Sequence, residues 1–211
     1  MHHEELIKTQ KTHEEIFTSI YERCYWGNNQ NTAYKGSSGQ GSRVEFNQKT
    51  YIPFVRQFIS DKKIQTVVDL GCGDFICGEA LYNDLDIIYH GYDVYEKMIT
   101  FHKSKYVPPK YNFYHLDIFS KREELIPADL CILKDILQHW NTNEIYLFLD
   151  YLVEIKKYKY ILISNCSHKP FYNIDTGAYR PLKSTEAPLN KYGAVKQLTW
   201  DTKEVSLITI E

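Results

Sequence analysis

Short apolar runs, separated by stretches with helical spacing, organise most of the chain. Val67-Val68-Asp69-Leu70, Ile87-Ile88-Tyr89-His90-Gly91-Tyr92, Asn112-Phe113-Tyr114, Asp129-Leu130-Cys131-Ile132-Leu133 and Tyr160-Ile161-Leu162-Ile163-Ser164 have the length and near-continuous apolarity of strands buried on both faces. Between them, helices are expected weakly near Glu79 to Asn83 and over 121–125, and clearly from Glu96 to Lys105 and from Asn143 to Lys157. The last has a start signal: Asn141 can cap it, and Glu144, three residues on, can return the reciprocal carboxylate of a capping box. Strand, helix and strand in succession predict a parallel sheet with right-handed crossovers and helices on both faces. The closing segments, about Gly193 to Trp200 and Val205 to Ile210, alternate around Asp201-Thr202-Lys203-Glu204 and read as a hairpin. The expected fold is therefore α/β, with a seven-stranded, mostly parallel sheet ending in an antiparallel strand.

Ahead of this core, Leu6, Ile7, Ile16, Phe17 and Ile20 lie among charges as on an amphipathic helix. Gly27 to Ser42 is too rich in Asn, Gln, Gly and Ser for a regular element. A second helix is expected from about Asn47 to Ser60, with Tyr51, Phe54, Val55, Phe58 and Ile59 near one face and Pro53 tolerated in its opening turns. The chain reads as one domain of 211 residues: a helical cap and lid loop over 1–62, and a core over 63–211 with an insertion at about 165–190.

Composition narrows the partners. Hydrophobic residues at 43% and charged residues at 25% are globular values, which argues against a disordered or membrane class. A formal net charge of −2 offers no basic excess for a long nucleic acid. Cys24, Cys72, Cys77, Cys131 and Cys166 are odd in number and lack paired spacing, so they are expected to be reduced and structural. No apolar run reaches membrane length and no basic-then-apolar leader opens the sequence, so a cytoplasmic protein is expected.

The strongest chemical signal is Val67-Val68-Asp69-Leu70-Gly71-Cys72-Gly73-Asp74. A buried strand leads into a turn where Gly71 and Gly73 let backbone approach a ligand, and Asp69 can accept hydrogen bonds from a cationic group. Asp93, at the end of the next strand, can accept both ribose hydroxyls of an adenosine. Either element alone is compatible with an ordinary strand-to-helix turn; the pair is much less so.

On these residues the chain, from about Ile64 onward, resembles the class I S-adenosylmethionine-dependent methyltransferases, a Rossmann-like fold. The resemblance implies that Asp69, Gly71 and Gly73 form the cofactor loop, that Asp93 and Val94 meet the ribose, and that Asp117 and Ile118 hold the adenine. It also places Ala128 to Trp140 beside the transferred methyl group, with Lys134 near the cofactor. Trp26, Ser38 and Arg43 fall where this family commonly folds a lid. Phe75 replaces the usual third glycine of the first motif, so looser or shifted helix packing is expected there. A dinucleotide dehydrogenase is the rival use of the architecture, but Ile76 stands at its third glycine and Asp74 would repel a pyrophosphate.

For the acceptor, Asp135 and His139 share a face if their segment is helical; His139 is the expected general base, with Asp135 orienting it. The bland alternative is that His139 packs with Trp140. In the insertion, Arg180 can clamp a phosphate or carboxylate, while Asp175, Tyr179 and His168 complete the expected acceptor-binding set. No metal is expected, because Asp135, His139 and His168 fit no ligand spacing. The arrangement is also similar to small methyltransferases of surface-glycan and capsule gene sets, which implies O-methylation of a sugar or sugar-nucleotide. The competing readings are methylation of another small molecule or of nitrogen, aminopropyl transfer from a decarboxylated cofactor, and a non-catalytic cofactor-binding subunit.

Overall fold

A computed structural model describes residues 11–30, 32–168 and 172–210. The apolar runs form one sheet: β1 (Thr66–Leu70), β2 (Ile88–Asp93), β3 (Tyr111–His115), β4 (Ala128–Lys134) and β5 (Tyr158–Cys166) are mutually parallel. The closing hairpin adds β6 (Val195–Trp200) and β7 (Lys203–Thr209), giving the order β3-β2-β1-β4-β5-β7-β6. β7 pairs antiparallel with both β5 and β6, and its first residue, Lys203, lies opposite Cys166 at the end of β5. That register brings the start of the last strand to the same sheet edge as the ends of the parallel strands.

Among the described residues six α-helices accompany the sheet: α1 (His13–Glu22), α2 (Val44–Asn47), α3 (Tyr51–Lys62), α4 (Ile76–Tyr82), α5 (Glu96–Lys105) and α6 (Thr142–Ile155). Alternation along each strand divides the core between two faces. Val68, Leu70, Cys131 and Leu133 pack with Ile145, Phe148, Leu149 and Leu152 of α6, while Val67, Leu130 and Ile132 pack with Val55 and Ile59 of α3 and Leu81 of α4. Among the described residues no helix is long and apolar enough to cross a membrane. All five cysteines are free thiols.

Several local expectations change. Leu6 and Ile7 lie outside the described residues, and α1 begins instead behind Thr12, which exchanges capping bonds with Glu15. The stretch at 121–125 forms only a 3-10 turn over Arg122–Glu124; Leu125 is its buried apolar residue, too little to seat a helix. Asn141 does cap α6 through the Glu144 amide at 3.0 Å. The Glu144 carboxylate does not return that bond, because His13 Nε2 at 3.1 Å and the Thr176 hydroxyl occupy it. The helix therefore gives up half a capping box to fasten α1 and the 165–190 insertion to its N-terminus.

Phe75 does not loosen α4. Its ring is buried among Tyr89, Tyr106, Tyr111 and Phe113, and it caps the helix with a left-handed φ of 58°. The space a glycine would have supplied is found one turn on: a Cβ on Gly78 would lie 2.3 Å from the Phe75 ring.

Candidate functional site

Strand order reverses between β1 and β4, and a crevice opens beyond the C-terminal ends of strands at such a switch point. Here it is a cavity of about 340 Å³, within the size range of small-molecule sites. The β1–α4 turn and the ends of β2 and β4 form its floor; α1, Trp26 and the 38–42 loop form its roof.

The roof is bonded to the floor. Ser38 and Asp74 exchange hydrogen bonds, the Ser38 amide donating to Asp74 Oδ2 at 2.9 Å and the Asp74 amide donating to Ser38 Oγ at 2.8 Å. The Ser42 hydroxyl adds a second lid donor to the same carboxylate at 3.2 Å. The segment is thus a docked lid, and Asp74 is its anchor. Gly73 serves this docking, since a Cβ on it would lie 2.3 Å from Ser38 Oγ; Gly71 instead admits Ile136, which follows β4 and would lie 2.1 Å from a Cβ there. Both glycines also line the cavity, where they leave backbone open to a ligand.

Gly73 is gripped on both sides. Its amide donates to Asp93 Oδ2 at 3.0 Å, and its carbonyl accepts from His102 Nε2 at 2.8 Å. Burial lowers the His102 pKa to about 4, so the ring stays neutral with its proton on Nε2. Asp93 also accepts from the Tyr95 amide at 3.1 Å through its other oxygen. Asp117 accepts from the amides of Phe119 and Ser120 at 3.0 and 3.3 Å, and Val94, Asp117 and Ile118 line the cavity beyond Asp93. Asp69, also on the lining, accepts from the Tyr89 hydroxyl at 2.8 Å; burial pushes its carboxyl up to about 6. Burial raises the Asp74 and Asp93 carboxyls as well. Three acids thus line the cavity, and a cationic guest would favour their ionised forms against the effect of burial.

The acceptor end departs from the expected dyad. Asp135 adopts a left-handed φ of 61°, and the following residues form only a 3-10 turn at Leu137–His139, so Asp135 and His139 do not share a helical face. Asp135 binds Lys134 at 3.0 Å and Lys203 on its other oxygen. Burial opposes its charge, but these two ammonium groups hold its pKa down at about 2. His139 is oriented by the insertion instead: Nδ1 lies 2.8 Å from the Ala178 carbonyl, which can only accept, so the proton sits on Nδ1 and Nε2 is the basic nitrogen. Burial lowers the His139 pKa from its usual value. The Trp26 ring stands 5.0 Å from the imidazole and the Tyr179 ring 6.0 Å from it.

Of the residues singled out in sequence, Asp69, Gly71, Gly73, Asp93, Val94, Asp117, Ile118, Lys134, Asp135, His139, Trp26 and Ser38 all line this one cavity. Arg43 does not; it stands at the N-terminus of α2, where its carbonyl accepts from Asn47 Nδ2 at 2.7 Å. Arg180 is fully buried outside the cavity wall, because the insertion turns its guanidinium inward to Thr142 Oγ1, the Tyr172 carbonyl and Asn173 Oδ1. Asp175 and His168 are exposed and Tyr179 reaches only the margin, so neither the expected acceptor clamp nor the Asp135, His139 and His168 cluster converges. Sequence patterning missed Lys203, His102 and His13. Lys203 sits in what reads as a hairpin turn, and the two histidines sit on unremarkable helical faces.

No protein-family model matches the sequence, and no curated protein matches it. Solved structures do share the fold. Magnesium protoporphyrin IX methyltransferase from Synechocystis, solved with bound S-adenosylmethionine, superposes with a TM-score of 0.63 at 15% identity, covering 96% of this chain and 99% of that one. The methyltransferase domain of bacterial CtHen1 gives 0.59 at 17% identity, covering 78% and 98%. N-methyltransferase NodS from Bradyrhizobium japonicum gives 0.57 at 11% identity, covering 79% and 98%. The architecture is the Rossmann-like class I methyltransferase fold, a mostly parallel seven-stranded sheet with a C-terminal antiparallel pair.

Proposed function

We propose that this chain is an S-adenosylmethionine-dependent methyltransferase acting on a hydroxyl of a small polar, carbohydrate-like acceptor. The observation that carries the reading is geometric: the carboxyl groups of Asp69, Asp74 and Asp93 line one cavity at the switch point. Such a wall repels a pyrophosphate and suits a ligand with a sulfonium and an ammonium group. Asp93 keeps lone pairs for ribose hydroxyls while holding the Gly73 and Tyr95 amides, since each carboxylate oxygen accepts two bonds. Val94, Asp117 and Ile118 then face the adenine, Asp69 and Lys134 the amino-acid end, and Trp26 and Ser38 cover it.

Bound S-adenosylmethionine supplies a methyl group already activated by its sulfonium. What the chain adds is alignment and exclusion of water by the docked lid, and a base. His139 Nε2 takes the hydroxyl proton while the Ala178 carbonyl keeps the other ring proton on Nδ1. The Trp26 and Tyr179 rings near that imidazole are of a kind that suits the C–H face of a sugar. The test is transfer of labelled methyl from S-adenosylmethionine to a panel of sugars and sugar nucleotides. His139→Ala should lower turnover by about 10²–10⁴-fold with cofactor affinity nearly unchanged. Full activity in that variant would remove the base assignment, and no labelled product from any hydroxyl acceptor would remove the acceptor class.

A further inference from the structure

Arg180, the cation expected to hold an acidic acceptor, faces away from the cavity, yet the cavity wall carries a cation of its own. Lys203 opens β7, and its pairing with Cys166 delivers it to the cavity beside the end of β4. Its side chain is only 7% exposed. Among the described residues its ammonium group donates to Asp135, and an ammonium has three N–H groups. Lys134 Nζ shares Asp135 and also donates to the Gly41 carbonyl at 2.5 Å. Two lysines thus meet one carboxylate, Asp135, while Asp69 is a further acidic neighbour of Lys134 and not of Lys203 in its hydrogen bonding. Gly41 keeps the lid backbone low here, since a Cβ on it would lie 2.7 Å from Asp135 Oδ2 and 3.6 Å from Lys203 Nζ.

Three features point this charge at a ligand. Enclosing a cation costs free energy unless it is paired, and Lys203 shares its carboxylate, Asp135, with Lys134. Asp135 is held in a left-handed conformation that a non-glycine residue adopts at a cost, and its amide is fixed to the Ser164 carbonyl at 2.7 Å, so the lysines gather around a rigid point. Lys203 also lines the same cavity as His139 and depresses its basicity, against the opposite effect of Asp135.

We propose that Lys203, braced by Asp135 and Lys134, is an oxyanion-binding residue of the acceptor subsite, so that the acceptor carries a phosphate or carboxylate near the hydroxyl presented to His139. The inference rests on the methyltransferase reading for the word acceptor, but the anion site itself is a property of this wall. An ammonium bridging Asp135 and a ligand anion completes the pairing of Lys203 and orients the ligand by a charge-assisted bond.

The test is calorimetric titration of the full chain with inorganic phosphate and, separately, with acetate. Each titration is run with and without saturating S-adenosylhomocysteine. Wild type should bind at least one of the two anions saturably, Lys203→Gln should bind it at least ten-fold more weakly, and Lys203→Arg should retain it. Asp135→Asn, which frees both lysines, should bind it several-fold more tightly, and this opposite sign guards against a Lys203 variant that fails to fold. Affinity for S-adenosylhomocysteine should change less than three-fold in Lys203→Gln. Absence of saturable anion binding in wild type, or unchanged binding in Lys203→Gln, overturns the proposal. So does a ten-fold loss of S-adenosylhomocysteine affinity in Lys203→Gln, which would give the cation to the cofactor's own carboxylate. Failure of wild type to bind S-adenosylhomocysteine at all would strike the methyltransferase reading, while the titrations without it still decide the anion site.

Discussion

Asp69 shows how one side chain links burial to ligand choice. Its position at the end of β1 seats it under Tyr89, and burial raises its carboxyl to about 6. The folded pKa lies above the unfolded value, so its contribution to the stability of the free protein is fully present below the unfolded pKa and is lost as pH rises through about 6. A cationic ligand reverses this preference, because it favours the ionised form. Affinity for S-adenosylmethionine should therefore be highest above pH 6 and fall by about ten-fold between pH 7.5 and 5, the loss expected one unit below the pKa. Calorimetry across that range checks it, and a flat profile would place the cationic groups elsewhere. His139 moves the other way: burial lowers its pKa, so it stays neutral and basic at pH values where an exposed imidazole would begin to charge.

At the scale of elements, the site is assembled by loops that dock rather than by helices that happen to pass. Asp74 accepts from Ser38 twice removed in the chain from the core, and from Ser42, and so holds the 38–42 segment over the cavity. Asp74→Ala should speed amide hydrogen exchange across residues 37–42 and weaken S-adenosylhomocysteine binding about ten-fold, with about 1–3 kcal/mol lost from stability for the stranded donors. Exchange unchanged in that segment would mean the lid is held by other contacts. α1 is fastened by His13 to Glu144 at the far side of the same roof. Strands and long helices were legible in sequence because buried runs and helical spacing report on local burial: Glu96 to Lys105 is the helix itself, and α6 begins at its Asn141 cap. The lost elements are those where a partner distant in sequence decides. Glu144 looks like half a capping box until His13 and Thr176 take its carboxylate, and Asp135 and His139 look like a helical pair until Lys203 arrives from β7.

For the whole molecule, the same distinction explains which site residues could be found. Asp69, Gly71, Gly73, Asp93 and Asp117 follow strands whose ends a parallel sheet must gather on one side, so spacing along the chain is enough to bring them together. Arg180 and Lys203 depend on the path of the insertion and on the register of an antiparallel strand, and neither leaves a periodic signal. The central claim is that the acidic crevice at the β1–β4 switch point is a site for S-adenosylmethionine rather than for a dinucleotide. Calorimetric titration with S-adenosylhomocysteine and with NAD, on wild type and Asp93→Ala, tests it most directly. The account predicts saturable binding of S-adenosylhomocysteine, weakened by about 1.5–3 kcal/mol in Asp93→Ala as hydrogen bonds to a charged group are lost, and no binding of NAD. Binding of NAD alone, or S-adenosylhomocysteine affinity unchanged by loss of Asp93, would contradict it.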